Sequence, residues 1–359
     1  MSVWTKKFYL YLFYKLGSIE VMKFPRTKKL IFVNNKGGVG KTTLAFNCAV
    51  SFAKQGYKTV LVDLDPQCNL SRLAMGDEYY KQNLFSSSEK TIYDVLRGVI
   101  EGGSDVDLTI KFLPVKADNN LSLLKGDINL SVYETLLATA YGQAAAGQPI
   151  GYFQTSAIDR FLREKGLSEQ VDIFVIDTSP SLGLLNQMIL LGADYFVVPM
   201  MPDAFSVQGI ENLGIIYERW KTQWKNTAKA LSGNTEMKLV LQGDPLFIGY
   251  IVNSYNEYGK QPITDHRSWM EKIPEHVRKF LSEKHCRNGL VEASWKEPLE
   301  NIKDYGRIPA KCQELGIAIF ELDPILIAEN QLGTKENIEK SKEEFLSLSG
   351  KVLKILASY

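Results

Sequence analysis

Short apolar runs rich in β-branched residues punctuate the chain, and each ends at glycine or at an acidic residue. Leu30, Ile31, Phe32 and Val33 lead directly into glycines and then into a helical stretch, which predicts strand, loop and helix in that order. Thr59, Val60, Leu61 and Val62 follow the helix-ending Gly56 and stop at Asp63, while Ile173, Phe174, Val175 and Ile176 stop at Asp177. Strands that are apolar at nearly every position suit a parallel sheet buried on both faces. Residues 195–199 and 247–252 predict two further strands, with helix-compatible sequence over 207–225. The alternation predicts an α/β fold built on a doubly wound, mostly parallel sheet.

Three stretches depart from that rhythm. Residues 66–170 are rich in Gly, Ser, Asn and Asp and predict an irregular insertion of switch loops and small helices. Within it, residues 135–158 carry no charge but are broken by Gly142, Gly147, Pro149 and Gly151, so the stretch reads as a flexible insertion and not as a membrane span. Residues 334–359 space Ile338, Phe345, Leu348, Val352 and Leu356 among lysines and glutamates, which predicts an amphipathic helix packed on the body. Residues 1–28 form an aromatic and basic extension in which Trp4, Phe8, Tyr9, Tyr11, Phe13 and Tyr14 are interleaved with Lys6, Lys7 and Lys15. It lacks the small-residue cleavage site of a secretory signal. It reads as an interfacial helix, a partner-docking segment, or an upstream extension of a chain starting at Met22. One short aromatic patch binds bilayers weakly, which favours docking or extension over membrane.

The 359 residues include 42 Lys plus Arg against 41 Asp plus Glu, a net charge of +1, with 45% apolar and 23% charged residues. That balance excludes a disordered chain and a protein that coats polyanions over its whole surface. Cys48, Cys68, Cys286 and Cys312 show neither disulfide-framework nor metal-ligand spacing, as a reducing cytoplasm would favour. His266, His276 and His285 lie in polar, helix-like sequence away from any candidate nucleophile, so histidine catalysis is not expected.

The candidate chemistry lies in Asn34-Asn35-Lys36-Gly37-Gly38-Val39-Gly40-Lys41-Thr42-Thr43, between the first strand and the first helix. Glycines allow backbone conformations closed to other residues, so successive N–H groups can turn inward on phosphate oxygens at a helix N-terminus that also favours anions. Lys41 supplies positive charge to the outer phosphates, and the Thr42 hydroxyl can ligate Mg²⁺. Asp63, Asp65 and Asp177 close strands at the edge where doubly wound sheets bind ligands. The alternative is that Asp63 and Asp65 are turn-forming acids beside Pro66, and that Asn253 merely closes a strand.

Residues 36–43 resemble the deviant Walker A motif of the ParA/MinD-like P-loop ATPases, with Lys36 at the family's additional lysine position. Asp63-Leu64-Asp65-Pro66-Gln67-Cys68-Asn69 resembles the family's first switch, and Val175-Ile176-Asp177-Thr178-Ser179-Pro180-Ser181 its Walker B strand and second switch. Val197-Val198-Pro199 and Gly249-Tyr250-Ile251-Val252-Asn253 resemble its later strands, so the likeness spans roughly 29–320 and assigns 29–333 to a ParA-like ATPase domain. The resemblance implies ATP and Mg²⁺ as cofactors, with Gly37, Gly38, Val39, Gly40, Lys41, Thr42 and Thr43 cradling phosphate. It further implies that Lys36 crosses to a partner subunit's phosphates in an ATP-bound homodimer, and that Lys36, Lys41 and Asp65 serve hydrolysis. Asp65 would position water, Thr42, Asp65 and Asp177 would surround the metal, and Pro199 and Asn253 would border adenine.

Among ParA relatives the dimer binds DNA without sequence preference, and a ParB-like partner stimulates hydrolysis. By that analogy the chain is expected in the cytoplasm on the nucleoid. Lys221, Lys225 and Lys229 recur every fourth residue along one helix face, either as phosphate contacts or as a solvated surface. Lys260, Arg267, Lys303, Arg307 and Lys311 match the relatives' DNA-contacting region loosely. Membrane targeting in the MinD manner is less expected, because residues 349–359 carry only Lys351 and Lys354 as cations. A nucleotide-gated scaffold that recruits an effector is the alternative from another class.

Overall fold

The computed structural model describes residues 24–83, 88–231, 237–255, 257–258, 261–262, 264–287, 290–330 and 333–359; the aromatic run of the N-terminal extension and Lys260 lie outside them. The apolar runs become β1 (Lys28–Phe32), β2 (Thr59–Leu64), β5 (Ile173–Thr178), β6 (Tyr195–Met200) and β7 (Leu246–Tyr255). Joined by β3 (Leu113–Pro114), β4 (Leu121–Leu124) and β8 (Glu300–Lys303), they form an eight-stranded sheet in the order β8-β7-β6-β1-β5-β2-β4-β3. All neighbouring pairs are parallel except β3 with β4, so the fold is the doubly wound α/β class that the apolar runs predict.

Successive residues of one strand enter different cores. Leu30 and Phe32 of β1 pack with Leu61, Ile173 and Val175 on one face. Ile31 and Val33 pack with Val60, Val62, Phe174 and Ile176 on the other. The two-residue period of a strand sorts side chains between faces in this way, and both faces need helices to exclude water. The first face receives α1 (Lys41–Lys54) and α2 (Asn69–Met75); the second receives α3 (Leu130–Ala145), α4 (Pro149–Thr155), α5 (Ala157–Ser168), α6 (Leu184–Gly192) and α7 (Ala204–Ala230). The C-terminal α8 (Lys335–Ser358) returns to the first face, burying Phe345, Leu348, Val352 and Leu356. Its Ser349 hydroxyl lies 2.8 Å from that of Ser51 and accepts from Gln55 at 2.9 Å, tying α8 to α1.

Residues 66–170 differ from the irregular insertion that composition predicts. They contribute β4 to the main sheet, paired with β2 from Thr59–Leu121 to Val62–Leu124, and supply four of the helices above. The uncharged stretch 135–158 is not a flexible insertion but the packed pair α3 and α4. Its glycines permit close approach: a Cβ on Gly151 would lie 2.2 Å from the Ala144 nitrogen. Pro149 starts α4, where its missing N–H costs nothing. Tyr133, Leu137 and Tyr152 are fully buried, and Tyr152 donates to the Thr227 carbonyl at 2.5 Å while its ring meets Trp224 edge-on at 6.1 Å. Among the described residues no helix is long and apolar enough to cross a membrane.

Tyr152→Ala is expected to cost about 3–5 kcal/mol in urea unfolding, through the cavity and the lost hydroxyl contact. Leu167→Ala, at an exposed position on α5, should stay within about 0.5 kcal/mol. Equal, small effects would mean that α3 and α4 are not part of the cooperative core.

Candidate functional site

β1 delivers the glycine-rich loop to the carboxyl edge of the sheet, the end at which doubly wound folds hold their ligands. Gly38 and Gly40 take left-handed φ values of +76° and +85°, and Gly40 is the N-cap of α1. Gly37 and Gly38 are exposed and Val39 is buried, so the loop is seated by one residue and open at two. Two asparagines pin it. Asn34 donates to the Pro199 carbonyl at 2.6 Å and accepts from the Lys36 N–H at 2.9 Å, fastening the loop's start to β6. Asn253 of β7 donates to the Val39 carbonyl at 3.0 Å. Pro199 thus holds the loop through Asn34, Asn253 bonds to the loop itself, and Thr43 accepts from Asn47 at 2.8 Å within α1.

Lys41 is buried inside this turn and donates to the Lys36 carbonyl at 3.3 Å. Burial lowers its pKa, opposed by the carboxylates of Asp177 and Asp65. The Thr42 hydroxyl donates to Asp177 Oδ2 at 2.7 Å, while Asp177 Oδ1 is buried with no hydrogen-bond partner among the described residues. Burial first, then the neighbouring Asp63, raises the Asp177 pKa to about 8, against the pull of Thr42 and Lys41. Asp65 is nearly buried, and its Oδ1 accepts from the Gln67 N–H at 2.9 Å. A threonine hydroxyl beside an orphaned carboxylate oxygen fits Mg²⁺, which takes few protein ligands and fills its octahedron with water and phosphate oxygens. Among the described residues no group of three or more His, Cys, Asp or Glu side chains forms a metal cage.

Asp63 is more than a turn-forming acid. Its Oδ2 accepts from the Ser71 N–H at 2.7 Å and from the Ser71 hydroxyl at 2.6 Å, and that hydroxyl accepts from the Gly126 N–H at 2.8 Å. Burial raises the Asp63 pKa to about 6, the Ser71 bonds opposing it. This network anchors α2, the helix that follows the Asp65 loop. Its serine and glycine partners lie 8 and 55 residues along the chain in turn, too far to show as a local motif.

The Lys36 ammonium is engaged by another element of the chain. It pairs with Asp203, the residue that caps α7, and lies 5.7 Å from the exposed Phe205 ring. Burial pushes Asp203 up, but hydrogen bonds from Lys36 and from the Ser206 N–H at 2.8 Å outweigh it and hold the carboxyl below its usual range. Asp203 was not among the residues that the motif pattern singles out, because 167 positions separate it from Lys36.

The basic candidates are spread over separate elements. Lys225 and Lys229 are exposed on α7, whereas Lys221 pairs with Asp244 at 2.6 Å. Arg267 pairs with Glu271 at 3.5 Å, Lys311 with Glu314 at 2.7 Å, and Lys303 donates to Asn337 at 3.1 Å. Arg307 is exposed just before the helix Ile308–Leu315.

A Cβ on Gly40 would lie 2.2 Å from Asn253 Nδ2 and sit on a strained φ, whereas a Cβ on Gly37 meets only Pro180 at 4.0 Å. Gly40→Ala should therefore weaken binding of a fluorescent ATP analogue at least about tenfold, equivalent to about 1.4 kcal/mol. Gly37→Ala should change it less than about threefold, or about 0.65 kcal/mol. Equal effects at both positions would mean that the left-handed turn does not shape the cradle.

Residues 27–230 match the family described as an AAA domain. The chromosome partitioning protein ParA of Caulobacter vibrioides is 30% identical over 254 residues, which cover 69% of this chain and 81% of that one. The chromosome-partitioning ATPase Soj of Treponema pallidum is 29% identical over 208 residues, 57% of this chain and 69% of the relative. The crystal structure of protein DIP2308 from Corynebacterium diphtheriae superposes with a TM-score of 0.66 at 24% identity, over 81% of this chain and 97% of that one, a likeness of fold. With a phosphate-type loop at the carboxyl edge of a doubly wound sheet and relatives of this kind, the chain belongs to the ParA/MinD-like family of P-loop ATPases.

Proposed function

We propose that this chain is a partition or positioning switch: it dimerises around ATP and Mg²⁺, binds DNA without sequence preference in that state, and is reset by partner-stimulated hydrolysis. The observation that carries the reading is the division of labour between two lysines. Lys41 bonds to the backbone of its own loop, and Lys36 reaches Asp203 at the start of α7, with its side chain partly exposed. A partly exposed cation is suited to a neighbour's phosphates, where charge develops during phosphoryl transfer. Release from Asp203 would accompany that transfer.

Thr42 and Asp177 would hold the metal, which neutralises phosphate charge when bound. Asp65 would orient the attacking water from the strand-end loop. The low intrinsic rate expected of such a switch follows from a site that is complete only when two chains meet. Lys225 and Lys229 are the best-placed candidates for DNA phosphates, since Lys221 is already paired. The apolar positions of α8 are buried against the body, which argues against that helix as a membrane anchor. The names of the relatives, a chromosome partitioning protein and a chromosome-partitioning ATPase, support DNA segregation on the nucleoid as the setting.

Lys41→Ala should lose nucleotide binding. Lys36→Ala should keep it but fail to dimerise with ATP on sizing chromatography, and a normal ATP dimer would refute the cross-subunit role. Asp65→Ala should bind ATP and dimerise, with turnover down by about 100-fold. The wild-type protein should shift random-sequence duplex only with ATP, with affinity falling steeply as salt rises. Equal shifts in ATP and ADP would overturn the switch.

A further inference from the structure

The turn that follows β5, Ser179-Pro180-Ser181, resembles the family's second switch and borders the phosphate loop, since a Cβ on Gly37 would lie 4.0 Å from the Pro180 ring. Pro180 and Ser181 are exposed, and the turn belongs to no strand or helix. One side chain fastens it at two points. Asn186, in the first turn of α6, donates through Nδ2 to the Ser179 carbonyl at 2.8 Å and to the Ser181 carbonyl at 2.7 Å. The hydroxyls of the same two serines lie 3.2 and 3.3 Å from that nitrogen. Carbonyl oxygens only accept, so the amide nitrogen is the atom that faces them.

The helix that carries this side chain is itself fixed, with Leu185, Met188, Ile189, Leu190 and Leu191 in the core of the second face. Asn186 is buried, and its Oδ1 has no hydrogen-bond partner among the described residues. A leucine of similar size would fill the same space without stranding an acceptor, so packing does not account for the asparagine. The two donations do. In a trans peptide the C=O and the following N–H point in opposite directions, and no peptide bond among the described residues is cis. Pro180 has no N–H. Drawing the Ser181 carbonyl onto Asn186 therefore turns one amide, the Leu182 N–H, away from α6, and that N–H has no backbone partner among the described residues.

We propose that Asn186 is a positioning residue for the terminal phosphate of a nucleoside triphosphate: by holding the Ser179 and Ser181 carbonyls against α6, it keeps the Leu182 N–H free for an oxygen of that phosphate. This role rests on the reading of residues 37–43 as an ATP cradle and narrows it, because the cradle serves ADP and ATP alike whereas the tethered turn tells them apart. A hydrogen bond to a charged oxygen is among the stronger ones. An amide aimed in advance by a rigid helix also carries little ordering cost when the phosphate arrives.

Titration calorimetry of the full-length protein with magnesium ATPγS and, separately, with magnesium ADP tests this. Wild-type protein is expected to bind ATPγS more tightly than ADP. Asn186→Leu keeps the volume and removes the donor, and Asn186→Asp keeps the shape and puts an oxygen where the N–H groups were. Both should bind ATPγS at least about tenfold more weakly and ADP within about twofold of wild type. Asn186→Leu should also keep its thermal midpoint with ADP bound, since the stranded oxygen is gone; Asn186→Asp decides the matter if the leucine variant does not fold. Unchanged ATPγS affinity in both variants, an equal loss for the two nucleotides, or a wild type without preference between them would overturn the role of Asn186 and leave the cradle standing. A wild type that binds neither nucleotide would remove the cradle and this role together.

Discussion

Asp63 and Asp177 are direct neighbours in the register of β2 and β5, and Asp65 follows two residues on. Three carboxyl groups are thereby gathered at one buried edge, with Lys41 as the cation closest in electrostatic effect. Carboxyl groups removed from water resist ionisation, and their like-charged neighbours add to that resistance, which is why Asp63 and Asp177 are both raised. The edge is tolerable because hydrogen bonds from Ser71 and Thr42 carry part of the charge. Its remaining deficit is one of positive charge. The surrounding architecture, from the glycine turn to the first residues of α1, is arranged about that deficit.

The same balance explains why the loop is braced from outside. A turn built on two left-handed glycines has little conformational preference of its own. Asn34 and Asn253 supply what the glycines lack, each by a hydrogen bond to the backbone of a different segment. Gly40 and Asn253 are packed so closely that Gly40 has no room for a side chain. Geometry at the cradle thus depends on β6 and β7 as much as on the motif itself.

The cradle was legible in the sequence because its determinants are local: glycine, lysine and threonine at fixed spacing between a strand and a helix. The five apolar strands were legible for the same reason, each being a short run that the sheet buries on both sides. β8 was not, since Glu300-Asn301-Ile302-Lys303 on an edge carries neither an apolar run nor a clean alternation, and β4, the four residues Leu121-Ser122-Leu123-Leu124, is too short to stand out from its surroundings. Gly147, Pro149 and Gly151 misled in the other direction. Their usual meaning is chain breakage, whereas here one starts a helix and another lets two helices touch. The Lys36–Asp203 pair and the Asp63–Ser71–Gly126 network escaped because their partners meet only in the folded chain.

Because Asn34 and Asn253 hold the loop open in its turned form, its amides are arranged before any phosphate arrives. The entropy of ordering such a glycine-rich segment is settled during folding and not charged against each binding event. Occupancy can then follow the surrounding nucleotide concentration without the delay of a refolding step.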